Sequence, residues 1–591
     1  MTVPPLQRSP NESSTGPTAR ARFPWLLDWV LGLLIVVALP LAIISIPNTV
    51  SIVSGLLPES FDKLALMRAH GLALPAMILT VPLGAVALRR VKVAHMLVGG
   101  LTLLALADVA GGFAGSTFVV AVLRILHGIG AGLLVPATLV AAWGRSPALR
   151  GVWTGMLAFS LLGAQALALW PLDNVQDWRV TLQPYPMLTG VALVLAAIYF
   201  VLWLVQGQPP TPTPRADERT RLLLASVPAV GIAVVAISTA SEAWGAGLVI
   251  LLAALAIVAL LTMASMGGRE GRTLSYVMVA IGVVLLPSMA QVTYVEMRGL
   301  GGPGMTGLWI PFLVAGLLGV GAAVAARLFA GARWLTPLGL LAMVVGLCSV
   351  RVVVPAPDGL VLVIPFALLA MGAAVALTSA LGRAGIGAGL YGLALCFPGV
   401  LAGYLLATGV QLMMLRGVTV AQQLVDRFVG SLHLWSLIGG FLVVAVILLA
   451  ALMARRSGPG DGDDGSGPSE PGGPGHGREA SLLEDPASGG AGMSAAGGGG
   501  RVVGGTGADE PGTDKSGAVV DDDSAGGGGA AGRVSSGWGS RFDDSAGGGA
   551  KTARVSASTG SRTSGGGSGG DEGSVPPVPP PAQSPEDSVS P

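Results

Sequence analysis

Fourteen apolar stretches, each about 20 residues long, occupy the first three quarters of this 591-residue chain. They fall at 25–46, 66–88, 93–111, 116–143, 149–172, 187–206, 221–240, 247–265, 274–296, 307–330, 335–354, 359–381, 386–414 and 433–454. At 1.5 Å per residue, each is long enough as a helix to cross a hydrocarbon layer of about 30 Å. Lipid offers no hydrogen bonds, so a chain that crosses it repeatedly must satisfy its own backbone, which a helix does. The predicted class is therefore an all-α polytopic membrane protein with 14 transmembrane helices. Several of these runs contain prolines (Pro40, Pro75, Pro82, Pro136, Pro287, Pro311, Pro365 and Pro398 among them), and neighbouring helices in a bundle accommodate them.

Charge agrees with this reading. Only 11% of residues are charged, against about 25% in soluble domains. The net charge of +1 conceals a split. Residues 1–456 carry 26 Lys and Arg against 14 Asp and Glu, whereas residues 457–591 carry 8 against 19. Past Arg456 the composition turns to Gly, Ser, Ala, Pro and Asp, and DDSAGGGGAAGRVS at 522–535 returns as DDSAGGGAKTARVS at 543–556. Such a segment lacks the apolar residues to offset its ordering entropy, so a disordered acidic tail is predicted over 457–591. Residues 1–23 are polar and read as a disordered N-terminal segment. They lead into a first run with no small-residue cleavage site, which reads as a membrane anchor. Cys348 and Cys396 lie within apolar runs and are expected as buried free thiols.

An even number of crossings returns both ends to one side. Excluding the residues beyond 456, eighteen basic residues fall on that side and seven on the other. The positive-inside rule places both termini in the cytoplasm of a cell-membrane protein. One basic residue of the body belongs to neither side: Arg124.

Arg124 opens LRILHGIGAG and lies inside the fourth span, where a single arginine costs about 2.5–3.5 kcal/mol. Arg124, Gly128 and Gly132 share a helix face at i, i+4 spacing, with His127 beside them. Small residues there let a neighbouring helix or a substrate approach closely. Arg124 either lines a wet cavity or is satisfied by helix carbonyls or a buried acid such as Asp108. His127 is a candidate proton relay, because its unperturbed pKa is near neutrality, or else a hydrogen-bonded packing residue. Asp108, near the outer end of the third span, is a partner for Arg124 or an interfacial charge. Glu296 ends the ninth span and either faces the cavity or is a solvated loop carboxylate. Arg89, Arg90 and Lys92 form a basic loop that either orients the chain or gates it. Gly385 and Gly389 in GIGAGLYG mark a helix seam or hinge. They do not mark a phosphate loop, since the Lys-Ser/Thr of a nucleotide motif is missing. No His-Glu-x-x-His, Cys-x-x-Cys or serine elbow is present, so neither an enzyme nor a cofactor is expected, and the dispersed basic residues do not suggest nucleic-acid binding.

RILHGIGAGLLVPA at 124–137 resembles the Arg-x-x-Gln-Gly-x-Gly-Ala motif of the major facilitator superfamily, in particular its fourteen-span drug:proton antiporter branch. GAVALRRVK at 84–92 sits where that superfamily has Gly-x-x-x-Asp-Arg-x-Gly-Arg. DWR at 177–179 with PYP at 184–186, and TYVEMRG at 293–299 with GLWIP at 307–311, are similar to further stretches of that branch. The resemblance covers about residues 24–455. It implies an N-terminal six-helix half at 24–206, a linker with two extra helices at 207–266, and a C-terminal six-helix half at 267–456. It also implies a secondary transporter that exports a small amphipathic molecule by alternating access, with protons as a possible driving ion. The sequence departs from the pattern at Leu88 and Val91, where an Asp and a Gly are expected, at His127 for Gln, at Glu296 for Gln, and in a fifth span without the Gly-Pro pair. These departures leave two alternatives beside the proton-coupled reading: an uncoupled facilitator, or a non-transporting scaffold or sensor.

Overall fold

The computed structural model describes residues 24–59, 61–173, 175, 177–208, 216–239, 244–268, 271–297, 302–329, 332 and 334–456. The N-terminal segment 1–23, the tail 457–591, linker residues 209–215 and 240–243, and the loop arginines Arg269, Arg298 and Arg333 lie outside the described residues. The described chain contains helices and no strand. The α-helices are α1 (Pro24–Ile44), α2 (Lys63–His70), α3 (Ala73–Ala87), α4 (Val93–Gly111), α5 (Thr117–Trp143), α6 (Pro147–Leu169), α7 (Pro186–Val205) and α8 (Ala216–Thr239). They continue with α9 (Ala246–Ser265), α10 (Arg272–Val295), α11 (Met305–Leu328), α12 (Leu335–Val353), α13 (Val363–Arg383), α14 (Ile386–Met414) and α15 (Ala421–Arg456). Fourteen helical segments among these are long and apolar enough to cross a membrane. Below, the side on which α1 starts and α15 ends is called the terminal side, and the opposite one the far side.

Local chemistry sets many boundaries. Ser116 and Ser146 cap α5 and α6, each accepting a hydrogen bond from a first-turn backbone N–H, those of Val119 and Leu149. Pro147 and Pro186 occupy first-turn positions of α6 and α7, where a missing N–H costs nothing. The span expected at 66–88 is broken into α2 and α3 at Gly71–Leu72. Pro75 explains the break: it has no N–H to continue the ladder and is tolerated in the first turn of a new helix. The last span starts at Ala421, well before the expected 433. Its first turns, AQQLVDRF, are too polar to register as membrane-spanning but remain helical. At 36 residues α15 is about 54 Å long, more than a bilayer core needs.

In the first six spans, α5 packs between α3 and α4, α7 lies against α1 and α4, and α1 also touches α5 and α6. In the last six, α13 packs between α11 and α12, α10 against α14, and α15 against α10 and α12. The two groups meet where α6 packs on α10, α11 and α13, and where α14 meets α3. The inserted pair joins both groups. α8 packs on α3 and α14, and α9 on α14 and α10.

Burial separates central from peripheral helices. The core stretch of α10 is 94% buried and those of α6 and α14 are 83% buried, whereas those of α7, α8, α9 and α15 are 28% buried. Near the terminal side α6 and α11 approach backbone to backbone: a methyl group on Gly155 would sit 2.7 Å from the Cα of Val320. One residue earlier on α6, the Thr154 hydroxyl meets that of Thr378 on α13 at 2.6 Å.

Candidate functional site

The five buried Asp, Glu, Arg or His side chains among the described residues are His70, Asp108, Arg124, His127 and Glu296. All lie in the far half of their spans or just beyond it. Four of them gather where α1, α2, α4 and α5 meet.

Arg124 is 2% exposed. Its Nε donates to the His70 carbonyl at 2.9 Å, and its Nη2 donates to the carbonyls of Ser45 at 2.5 Å and Pro47 at 3.3 Å. His70 ends α2, while Ser45 and Pro47 follow directly on α1. The His70 carbonyl loses its intrahelical partner where α2 stops and carries the negative end of that helix dipole, while those of Ser45 and Pro47 belong to the turn just past α1. A hydrogen bond from a charged donor contributes about 1.5–3 kcal/mol. Three such bonds offset an insertion cost of about 2.5–3.5 kcal/mol. The guanidinium thus ties two helix ends to α5.

His127, one turn further along α5, faces α4. Its Nε2 lies 2.8 Å from Asp108 Oδ1, and its Nδ1 lies 3.0 Å from the Leu123 carbonyl. The Thr189 hydroxyl on α7 donates to Asp108 Oδ2 at 2.5 Å. A carbonyl can only accept, so Nδ1 carries a hydrogen. Nε2 and Oδ1 then share one further proton: either an imidazolium faces a carboxylate, or a neutral ring faces a carboxylic acid. Loss of that proton would set two lone pairs against each other in a buried site, where repulsion is poorly screened.

Asp108, Arg124, His127 and Thr189 line a cavity of about 20 Å³ together with Ser45 and Tyr185. That is room for about one water molecule. His70 is buried beside Arg124 and His127, and its ring nitrogens lack a well-formed hydrogen bond. Asp108, expected as a partner of Arg124, acts on it only through the field and makes its hydrogen bonds to His127 and Thr189 instead.

The glycines of α5 serve packing. A side chain on Gly128 would overlap the Ala73 carbonyl of α3, and one on Gly132 would lie 2.7 Å from Thr80 Cβ. The close neighbour on this face is helix α3. Gly389 of α14 packs against Leu139 of α5, while Gly385 caps α14 in extended backbone with open space around it.

Glu296 follows the last residue of α10 and is fully buried. It is neither solvated nor among the residues around the cavity. Its Oε1 accepts the Ala356 N–H at 2.9 Å, its carbonyl accepts the Gly304 N–H at 3.0 Å, and Oε2 has no partner. The loop at 354–359 folds over it and is also held by His433 of α15, whose Nε2 meets the Val354 carbonyl at 3.2 Å. Burial pushes the Glu296 carboxyl up to about 7, an effect the Ala356 N–H partly offsets. In the basic loop, Lys92 turns to α7, bonding Gln208 and lying 5.4 Å from the Trp203 ring. Arg89 and Arg90 face α8.

Sequence reading missed Thr189, His70 and a polar group on the central helices. Tyr294 lies within reach of Gln165 and Ser51, and its field reaches Tyr404. Gln165 Nε2, Gln291 Oε1 and the Tyr404 hydroxyl are buried and make no hydrogen bond among the described residues. An amide or phenol within a span was the available signal, but alone it does not say which helix it faces.

No family model matches the chain, and no curated protein matches it. Among solved structures, the chain is similar to the proton:xylose symporter XylE of the major facilitator superfamily bound to 6-bromo-6-deoxy-D-glucose. The TM-score is 0.45 at 16% identity, over 73% of this chain and 96% of that one. A double-tryptophan mutant of XylE gives a TM-score of 0.42 at 15% identity, over 73% and 99% of the two chains.

Proposed function

We propose that this chain is a secondary transporter of the major facilitator type, coupled to protons through the Asp108–His127 pair. The pair carries the reading, because it is buried, brings Nε2 within 2.8 Å of Oδ1, and borders a water-sized cavity. Arg124 is the fixed charge beside it and holds the ends of α1 and α2 in register. In the cycle, protonation would keep α4 and α5 joined, and loss of the proton would release them. The orphaned groups of Gln165, Gln291 and Tyr404 are the hydrogen-bonding surface offered to a substrate in the central helices. Rocking of the two six-helix groups across the α6–α11 seam would open that region to either side. Export, an amphipathic substrate and cytoplasmic termini rest on the sequence resemblance and on the eighteen-to-seven distribution of basic residues.

The test is accumulation of a panel of dyes and sugars in cells expressing wild type, Asp108→Asn or His127→Gln, with and without a protonophore. Wild type should show protonophore-sensitive movement of at least one compound, and both variants should lose that sensitivity. Protonophore-sensitive transport that survives in Asp108→Asn would refute the coupling. The carbonyl clamp around Arg124 also suits a scaffold that has ceased to transport. No movement of any compound by wild-type protein in proteoliposomes would favour that reading.

A further inference from the structure

A second cavity, of about 500 Å³, lies at the terminal side between the end of α3 and the start of α8. Leu83, Val86 and Val91 form its apolar floor, and Arg89, Arg90 and Arg219 stand around it. No described acidic side chain lines it. These three arginines make no hydrogen bond or ion pair among the described residues, in contrast to Arg145 with Asp28, Arg179 with Asp177, and Arg383 with Thr336. Leu83, which lines the cavity, is also exposed on the outer surface of α3, and α8 carries the exposed apolar residues Leu223, Leu224, Val227 and Val230. A cationic rim at the end of membrane helices, over an apolar floor continuous with a lipid-facing surface, matches a molecule with an anionic head and a hydrocarbon body.

The geometry points to a binding site for one anionic phospholipid, its phosphate held between Arg89, Arg90 and Arg219 and an acyl chain against Leu83, Val86 and Val91. Guanidinium groups suit phosphate because their fork donates two parallel hydrogen bonds. Basic pockets between spans on the cytoplasmic side are recognised sites for anionic head groups. Free phosphate would satisfy the arginines and leave the floor bare. The acidic tail has charge to offer but too few apolar residues to cover the floor. Through Arg219 the lipid would fasten the inserted helix α8 to α3. At the same end Glu218 of α8 packs on Gly387 of α14, so tight that a methyl group there would overlap the carboxylate. The bound lipid would therefore strengthen a strap that runs from the first six-helix group to the second.

The experiment uses the full chain in uncharged detergent, with phosphatidylglycerol, phosphatidylcholine or inorganic phosphate added, read by native mass spectrometry and by thermal melting. Variants are Arg219→Gln and the triple Arg89→Gln/Arg90→Gln/Arg219→Gln. The control is the exposed far-side triple Arg351→Gln/Arg416→Gln/Arg427→Gln. Phosphatidylglycerol should bind wild type and the control at one copy and raise the melting temperature, while phosphatidylcholine and phosphate should not. Each arginine removed should weaken binding roughly fivefold, so the single variant retains measurable affinity and the triple loses most of it. Equal binding of both lipids, an unaltered affinity in the triple variant, or a shift reproduced by phosphate alone would overturn the assignment. So would failure of phosphatidylglycerol to bind wild type while the triple variant changes protease sensitivity of the tail, which would mark the tail as the occupant.

Discussion

Replacing Glu296 with glutamine should make the protein less sensitive to pH. Glu296 is fully buried at the end of α10, with one carboxylate oxygen on the Ala356 N–H and the other unpartnered. Burial raises its pKa from 4.5 to about 7. Between those values the folded state binds more protons than the unfolded one, so stability falls as pH rises, and above about 7 the full penalty stands. A displacement of about 2.5 units corresponds to about 3 kcal/mol at 1.36 kcal/mol per unit. In the glutamine variant Oε1 still accepts from Ala356, nothing ionises, and this slope should vanish. For a chain of this size about 1–2 °C per kcal/mol is expected, extrapolating the size trend of smaller domains. Between pH 5 and pH 8 about 1.8 of those units are crossed, about 2.5 kcal/mol, so wild type should lose about 2–5 °C more than Glu296→Gln in detergent melts. Parallel melting curves for the two proteins across that range would refute the assignment of the raised pKa to this carboxyl.

Arg124→Lys should destabilise almost as much as Arg124→Met, by about 3 kcal/mol, because a point ammonium cannot reach carbonyls at two helix ends as a fork does; yield and melting temperature check this, and a stable lysine variant would show that charge alone suffices. Gly128→Ala should cost about 1–3 kcal/mol, since its methyl group meets the Ala73 carbonyl, whereas Gly385→Ala should be neutral, having open space around it; equal melting temperatures for the two would contradict the packing of α5 on α3. Thr189→Val should leave expression intact but weaken protonophore-sensitive transport, because it removes the hydroxyl that holds Asp108 beside His127. Unchanged protonophore-sensitive transport would place Thr189 outside the site.

Several features were legible in the chain because each depends on local chemistry. Helix number follows from apolar length, and the limits of α4 at Val93–Gly111 and of α14 at Ile386–Met414 coincide with the apolar runs. Arg124 and His127 stand out because charge inside such a run is expensive wherever the helix lies. Packing order was not legible. α9 is more apolar than α10, yet α10 is central and α9 peripheral. Lipid tails and a protein interior are equally apolar, so hydropathy separates membrane from water but does not separate core from lipid. Partners were hidden for a related reason. Arg124 binds carbonyls, which every residue carries, and only the meeting of the ends of α1 and α2 selects those of Ser45, Pro47 and His70. Asp108 meets His127 and Thr189 because α4, α5 and α7 are neighbours, a fact of assembly. The sequence by itself therefore determined the crossings and the residues whose charge needs an explanation. Tertiary structure decided which groups answer that charge, since hydrogen bonds act over about 3 Å and only folding brings atoms so far apart in the chain within that reach.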